Sequence, residues 1–363
     1  MRDVHVELGK DSYEILIGRN LGAELQNFIR ETGFSEKALL ISDTNVGKLY
    51  GENVLRSIRE AGLSAELIMV PAGESSKSLQ QAEQLYTAAI EHCLDRKSPI
   101  FALGGGVVGD LAGFIAATYM RGVPFVQIPT SLLAQVDSGV GGKVAVNHRL
   151  GKNLIGAFYQ PKRVFMDMGT LDTLPVREIH TGLGEIVKYG VIYDADFFDF
   201  LEKNADKALS LEEMAVQHMV ARSCEIKADV VSKDEKEGGL RRILNFGHTI
   251  AHAIEKETGY VRYNHGEAVA IGLIGAAYIS REMGAARDEE VERLERLIKR
   301  MGLPMRAGGC TTDHMYRDIF HDKKTVGGRV NWVLMKEIGN VFVTDDVPEA
   351  VVRHAMDMVT EKA

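Results

Sequence analysis

The sequence predicts two domains of different class: an α/β domain over residues 1–170 built on a parallel sheet, then a mainly α-helical domain over residues 171–363. Three observations predict it. Strand and helix signals alternate through the first half, a glycine-rich strand-to-helix turn lies inside that alternation, and from Val176 onward nearly every periodic segment repeats as a helix. At 363 residues the chain is long enough for two domains that each bury a core.

Val4–Leu8 and Tyr13–Ile17, joined across the Gly9–Lys10 turn, read as an opening antiparallel pair. Short β-rich runs follow at Ala38–Ser42, Glu66–Pro71, Ile100–Leu103 and Phe125–Pro129. Helical patterns lie between them, such as Ser78–His92, whose Leu79, Ala82, Leu85 and Ala89 share one face. Short connections between alternating elements imply a Rossmann-like parallel sheet covered on both faces. Past Met168 the pattern turns helical over Val176–Tyr189, Ala195–Asn204, Leu211–Val231, Asn245–Glu257, Glu267–Met283 and Asp288–Met301. A hairpin of Asn331–Ile338 and Val341–Thr344 across Gly339–Asn340 interrupts that run. The boundary is expected near Gly169–Pro175, with no internal repeat and with a ligand cleft between the domains.

Composition narrows the function. A net charge of -8 argues against a nucleic-acid partner, whose phosphates need a basic face. Ala268–Ile279, the most apolar run, is too short to span a bilayer and reads as a buried helix. The opening MRDVHVELGKDSYEI has no apolar stretch suited to a signal peptide. Cys93, Cys224 and Cys310 are odd in number and far apart, so they form neither a disulfide framework nor a Cys-x-x-Cys metal site. A cytoplasmic enzyme with no membrane partner is the expectation.

The turn Leu103-Gly104-Gly105-Gly106-Val107-Val108-Gly109-Asp110 follows a strand and opens a helix running to about Met120. Gly104, Gly106 and Gly109 fit G-x-G-x-x-G, which brings backbone close to a pyrophosphate at the positive end of a helix. No acidic residue ends the following strand, so this is not the common dinucleotide fingerprint. Other strand ends carry polar groups that project from the same carboxyl edge: Asp43, Glu74 with Lys77, and Thr130-Ser131. Asp43 or Glu74 can accept from ribose hydroxyls, while Lys77, Thr130 and Ser131 suit phosphate or amide. A dinucleotide cofactor is expected.

Three helical segments of the second half carry polar residues on apolar helices: Gly182–Tyr189 with Glu185 and Lys188, Asn245–Glu255 with His248 and His252, and Asn264–Ala270 with His265. Imidazole nitrogen and carboxylate oxygen suit zinc, whose catalytic sites use three protein ligands and leave a position open. His248 and His252 share a helical face at i,i+4, but no Glu follows His248, so this is not the H-E-x-x-H protease pattern. Spacing alone does not choose which two of these histidines bind metal; the local pattern nominates His248 and His252, with His265 as a helix N-cap neighbour. Cations also stand in Gly-rich or apolar settings in this acidic chain: Lys143, Lys152 beside Asn153, Lys188, Arg241 one turn before Asn245, and Lys323-Lys324. Together they suit a substrate bearing phosphate and carboxylate.

At these residues the sequence resembles the 3-dehydroquinate synthase family of sugar-phosphate cyclases. The resemblance runs over nearly the whole chain, through GGGVVGD, Pro129–Ser138, GGKVAVN, GKNLIGAF, GLGEIVKYG, LNFGHTIAHAIE and NHGEAVAIG. It implies a metal, zinc or else cobalt, held by Glu185, His248 and His265, with His252 left beside the substrate. It implies NAD contacts from Asp43, Glu74, Lys77, Gly105, Gly106, Val107, Asp110, Thr130 and Ser131, with Lys143 and Lys152 near cofactor and substrate. For the substrate it implies Asp137, Lys143, Lys152, Asn153, Lys188, Lys227, Arg241, Asn245, His252 and one lysine of Lys323-Lys324, taken as Lys324. Arg121 resembles an arginine that reaches the phosphate pocket of a neighbouring subunit, which implies a homodimer.

The reaction implied converts 3-deoxy-D-arabino-heptulosonate 7-phosphate to 3-dehydroquinate and phosphate, a step of the shikimate pathway toward aromatic amino acids. It runs by transient oxidation with NAD, β-elimination of phosphate, re-reduction and intramolecular aldol closure, a carbon–oxygen lyase with no net redox change. Lys143, Lys188, Arg241, Asn245 and His252 are the expected catalytic set. A sister cyclase making an inosose or valiolone-like ring is the nearest alternative; Lys227, Arg241 and Asn245 favour a carboxylate-bearing substrate over it. A metal-dependent polyol dehydrogenase would not need this lysine set, and a nucleotide-binding regulatory module would leave the metal residues unexplained.

Overall fold

β1 (Arg2–Val6) and β2 (Tyr13–Gly18) open the chain as an antiparallel pair in the computed structural model, which describes residues 1–319, 325–326 and 329–361. The pairing runs from Arg2 opposite Ile17 to Val6 opposite Tyr13, and Leu8 falls outside it because Gly9–Asp11 winds into a helical turn. There follow α1 (Gly22–Thr32), β3 (Lys37–Asp43), α2 (Glu52–Glu60), β4 (Ser64–Val70), α3 (Leu79–Glu91), β5 (Ile100–Gly104), α4 (Gly106–Thr118), β6 (Phe125–Pro129), β7 (Lys143–His148), β8 (Gly151–Phe158) and β9 (Arg163–Asp167).

Seven strands form one sheet in the order β1-β2-β9-β6-β5-β3-β4, parallel at every pairing except β1 with β2. Side chains alternate across it, so both faces need cover. Leu39, Ile41, Ile100 and Ala102 pack with Leu85 of α3 and with Leu111 and Ile115 of α4. Leu40, Phe101, Val126 and Phe165 pack on the other face with Leu25 and Ile29 of α1 and Leu55 and Ile58 of α2. Each Leu or Ile fully buried in this way contributes about 2 kcal/mol. Two features have no counterpart in the sequence reading. β9 inserts between β2 and β6 and joins the opening pair to the main sheet, and β7 with β8 makes a separate antiparallel hairpin.

The helical part comprises α5 (Val176–Tyr193), α6 (Ala195–Leu209), α7 (Glu213–Lys233), α8 (His248–Glu257), α9 (His265–Glu282), α10 (Asp288–Arg300), α11 (Thr312–Ile319) and α12 (Glu349–Met358). It also holds the short strands β10 (Thr325–Val326) and β11 (Arg329–Val330), and the hairpin of β12 (Trp332–Glu337) with β13 (Asn340–Thr344). The apolar run Ala268–Ile279 lies inside α9, buried at nearly every position. Among the described residues no helix is long and apolar enough to cross a membrane. One expected helix starts late: Leu240–Asn245 forms a tight helical turn, Gly247 turns left-handed at φ 77°, and only then does α8 begin at His248. The chain divides into two compact units, Met1–Leu174 with Lys227–Lys236, and Pro175–Ile226 with Glu237–Ala363.

Candidate active site

In the first unit the carboxyl edge of the sheet gathers the polar strand ends. α4 starts directly after β5, and its N-cap, Gly105, offers no side-chain cap, so the first amides of the helix remain available to an anion. A Cβ on Gly106 would stand 2.8 Å from Ser138 Oγ, itself buried and without a hydrogen-bond partner. Gly109 is different: the nearest atom to its would-be Cβ is 4.0 Å away, so the last glycine of the pattern is not sterically required. An uncapped helix end beside an unsatisfied buried hydroxyl fits a pyrophosphate.

Around that turn the other strand ends are already organised. Asp43, ending β3, accepts from the amides of Asn45 at 2.8 Å and Val46 at 3.0 Å. The Thr130 amide donates to Gly104 O at 3.0 Å, and Ser131 Oγ accepts from the Ala134 amide at 3.3 Å. Lys77, read as a phosphate or amide contact, is buried and forms an ion pair with the part-buried Asp110. Burial pushes the Asp110 carboxyl up, and Lys77 works against that shift. Glu74 accepts from Asn147 Nδ2 at 2.8 Å and has Lys152 Nζ at 4.0 Å. Asn147 also donates its amide to Lys77 O at 2.8 Å and accepts the Asn153 amide at 2.9 Å. It thereby ties the β7–β8 hairpin to the Glu74–Lys77 loop. Asn153 sits at φ 55°, a left-handed conformation that asparagine tolerates. Lys143 opens β7 and is exposed. Lys227 is buried and donates to both Asp137 O and Asp137 Oδ1 at 2.6 Å. Arg121 is exposed on a turn in which Met120, Arg121 and Gly122 all have positive φ.

In the second unit α5, α8 and α9 each deliver one metal-type ligand beside a glycine. A Cβ on Gly266 would lie 1.8 Å from Thr181 O, and one on Gly184 would lie 2.3 Å from Gly266 O. α5 and α9 therefore touch backbone to backbone next to Glu185 and His265. Gly272 plays the same part for α8, its would-be Cβ 2.1 Å from Gly247 O. The first turn of α9 is also tied to α5. Arg177 pairs with Glu267 at 2.7 and 2.8 Å, and Asn264 Nδ2 donates to Glu178 at 2.9 Å.

These approaches bring Glu185, His248 and His265 together, with one ligand atom from each within 4.8 Å of the others. No other such group of three occurs among the described residues. Both Nε2 atoms lie 3.3 Å from Glu185 Oε1, yet that oxygen is buried without a hydrogen bond. Two imidazole nitrogens and an unsatisfied carboxylate oxygen converge, which is the donor set of a tetrahedral divalent ion with one position open. His252, nominated by spacing, lies outside the cluster but against it, its ring centroid 5.7 Å from His248 and 6.3 Å from His265. Lys188 is buried and pairs with the second oxygen of Glu185. Burial alone would raise the Glu185 carboxyl, but Lys188 and His248 outweigh it and hold the group well below the usual carboxylate range. Burial works to lower His265, while the carboxylates of Glu185 and Glu255 push it up to about 10. Asn245 donates to Glu237 Oε1 at 2.9 Å, and Arg241 is fully buried in the turn just before it. Lys323 and Lys324 lie outside the described residues. Ser138, Asn147 and Glu255 are candidates that the sequence reading missed; each stands inside a motif already quoted, which was the only signal.

A parallel sheet with a glycine-rich strand-to-helix turn, and a helical part carrying a Glu-His-His cluster, make up a fold shared with the sugar-phosphate cyclases. Such a structure, 2-epi-5-epi-valiolone synthase of Streptomyces hygroscopicus with NAD+ and Zn2+ bound, matches at a TM-score of 0.88 and 28% identity, over 97% of this chain and 98% of that one. A 2-deoxy-scyllo-inosose synthase complexed with carbaglucose-6-phosphate, NAD+ and Co2+ matches at 0.89 and 26%, over 98% and 99%. Residues 67–181 match the 3-dehydroquinate synthase N-terminal family and residues 182–325 the 3-dehydroquinate synthase C-terminal family. A 3-dehydroquinate synthase of Desulforamulus reducens is 50% identical over 351 residues, covering 96% of this chain and 98% of its own. The chain belongs to the 3-dehydroquinate synthase family.

Proposed function

We propose that the chain is itself a 3-dehydroquinate synthase, converting 3-deoxy-D-arabino-heptulosonate 7-phosphate to 3-dehydroquinate and phosphate. One observation carries the choice among cyclases. Fold similarity to two sister cyclases is as high as 0.88 and 0.89 at 28% and 26% identity, whereas identity to a 3-dehydroquinate synthase is 50% at near-complete coverage. The chemistry is that of a phosphate-eliminating carbon–oxygen lyase in a cytoplasmic homodimer, without net redox change.

The reading places NAD at the carboxyl edge of the sheet, on Asp43, Glu74, Lys77, Gly105, Gly106, Val107, Asp110, Thr130, Ser131, Lys143 and Lys152. It places zinc or cobalt on Glu185, His248 and His265. When bound, NAD supplies a hydride acceptor that is restored within each turnover, and the metal supplies a Lewis acid at the substrate oxygen. The chain's own residues do the rest. Lys188 keeps Glu185 ionised by direct pairing. His252, against the cluster but outside it, is the group assigned to moving protons, and Asn245, anchored on Glu237, to orienting the substrate. Lys143, Lys152, Asn153, Lys227, Arg241 and Lys324 are assigned to phosphate and carboxylate, with Asp137 holding Lys227. Strain at Met120 and Arg121, two successive left-handed non-glycine residues, supports a special role for the Arg121 turn at a subunit contact.

The test is phosphate release from the heptulosonate phosphate with catalytic NAD and zinc, while absorbance of NADH is followed. Phosphate far in excess of NAD, without NADH accumulation, is expected. No phosphate, with stoichiometric NADH from a polyol instead, would make the chain a dehydrogenase. Turnover of a carboxylate-free sugar phosphate alone would make it a sister cyclase.

A further inference from the structure

Three side chains of α8 share one face at spacings of four and three residues: His248, His252 and Glu255. His248 belongs to the ligand cluster and His252 stands beside it. Glu255 does neither, yet its Oε1 lies 3.2 Å from Nδ1 of His265, which arrives from α9. One helix thus carries a ligand, and two turns later a carboxylate aimed at the back of another ligand.

An ionised carboxylate only accepts, so Nδ1 of His265 carries a hydrogen toward Glu255, which leaves Nε2, on the Glu185 side, as the nitrogen that gives up its proton to take an ion. His248 reaches the same tautomer by another route, with Nδ1 at 3.1 Å from the carbonyl of Phe246. The two rings differ in how firmly packing restrains them. The His248 side chain is 11% exposed, whereas that of His265, on the first residue of its helix, is 30% exposed. Surrounding side chains therefore do less to orient His265, and a directed hydrogen bond matters more.

We propose that Glu255 is a positioning residue of the metal site, fixing the tautomer and ring angle in which His265 presents Nε2 to the ion. The inference rests on the proposed metal site at Glu185, His248 and His265. A carboxylate behind a ligating imidazole also makes that ring a better donor, so Glu255 contributes to metal affinity without touching the metal.

The experiment uses full-length chain loaded with cobalt(II), with Glu255→Ala and Glu255→Gln beside the wild type. Affinity is read by competition with a chelator, and the imidazole N–H protons by their paramagnetically shifted resonances. Wild type should show two such N–H signals. Glu255→Ala should lose that of His265 and bind cobalt about 10- to 100-fold more weakly. Glu255→Gln keeps an acceptor, so it should keep the signal, shifted, and recover part of the affinity. Melting of each variant in chelator shows whether the metal-free fold survives. If Glu255→Ala does not fold, Glu255→Gln decides: unchanged affinity and an unshifted signal would overturn the role. A wild-type chain that takes up no cobalt would instead sink the metal site itself. A normal wild type with an indistinguishable Glu255→Ala would sink only the role of Glu255.

Discussion

Glu185 is fully buried, and a charge at that depth persists only beside opposite charge. Lys188, three residues on and 1% exposed, supplies it from the same helix face. The pair makes two substitutions diverge. Glu185→Gln leaves the Lys188 ammonium buried without its partner, so the metal-free protein should lose about 3–5 kcal/mol. His265→Ala removes the ring that pairs with both Glu185 and Glu255, but that ring is 30% exposed and solvent screens it, so metal-free stability should fall by less, about 1–2 kcal/mol. Both should abolish turnover. Urea unfolding in chelator, beside the phosphate-release assay, checks both; equal stability for Glu185→Gln and wild type would mean that the buried pair contributes nothing net.

Elements place these residues through contacts that only glycine permits, at Gly184, Gly266 and Gly272, and through caps that fix where helices begin. α6 shows a cap with a charge. Asp194 Oδ1 accepts from the Phe197 amide at 2.9 Å, and its other oxygen pairs with Arg222 at 2.6 Å. Burial alone would raise this carboxyl, but the Phe197 amide and Arg222 hold it below its ordinary value of 3.8. A depressed carboxyl stabilises the fold fully above its unfolded pKa, and that contribution fades as pH falls through the folded one. Asp194→Ala should therefore cost about 1–2 kcal/mol at neutral pH. The deficit should shrink as pH falls below 3.8. Paired unfolding curves along an acid series test it, and a deficit constant with pH would exclude the carboxylate charge as its source.

At the scale of the whole molecule, fold and chemistry separate. Near-identical similarity scores to cyclases that form different rings show that the architecture does not choose the substrate; side chains on it do. The proposed homodimer carries its own prediction, because Arg121 is read as serving the partner's phosphate pocket. Arg121→Ala and Glu185→Gln should each be inactive alone. In a mixed dimer one site has both its own ligands and the partner's intact Arg121, so random mixing should restore about a quarter of wild-type activity. Unfolding the two variants together and refolding them makes the mixture. No recovery, with mixed dimers demonstrated, would confine Arg121 to its own subunit or remove it from the site.

By itself the sequence determined the class of each half and the chemistry available. Alternating strand and helix signals, glycines at one strand end and His and Glu on apolar helices are all local, and local physics reads them directly. Tertiary structure decided what depends on partners far away in the chain. β9 is a short strand whose meaning lies in pairing with β2 and β6, and β7 with β8 makes a hairpin that no expected turn announced. Spacing on α8 nominated His252 beside His248, because one helix face cannot show what a second helix brings to it. The backbone contact of Gly184 with Gly266 sets α9 against α5, which brings His265 beside Glu185 and leaves His252 outside that cluster. Ser138, Asn147 and Glu255 escaped notice for the same reason: each is an ordinary polar residue until folding supplies the unsatisfied pocket, the crossing loop or the imidazole that it meets.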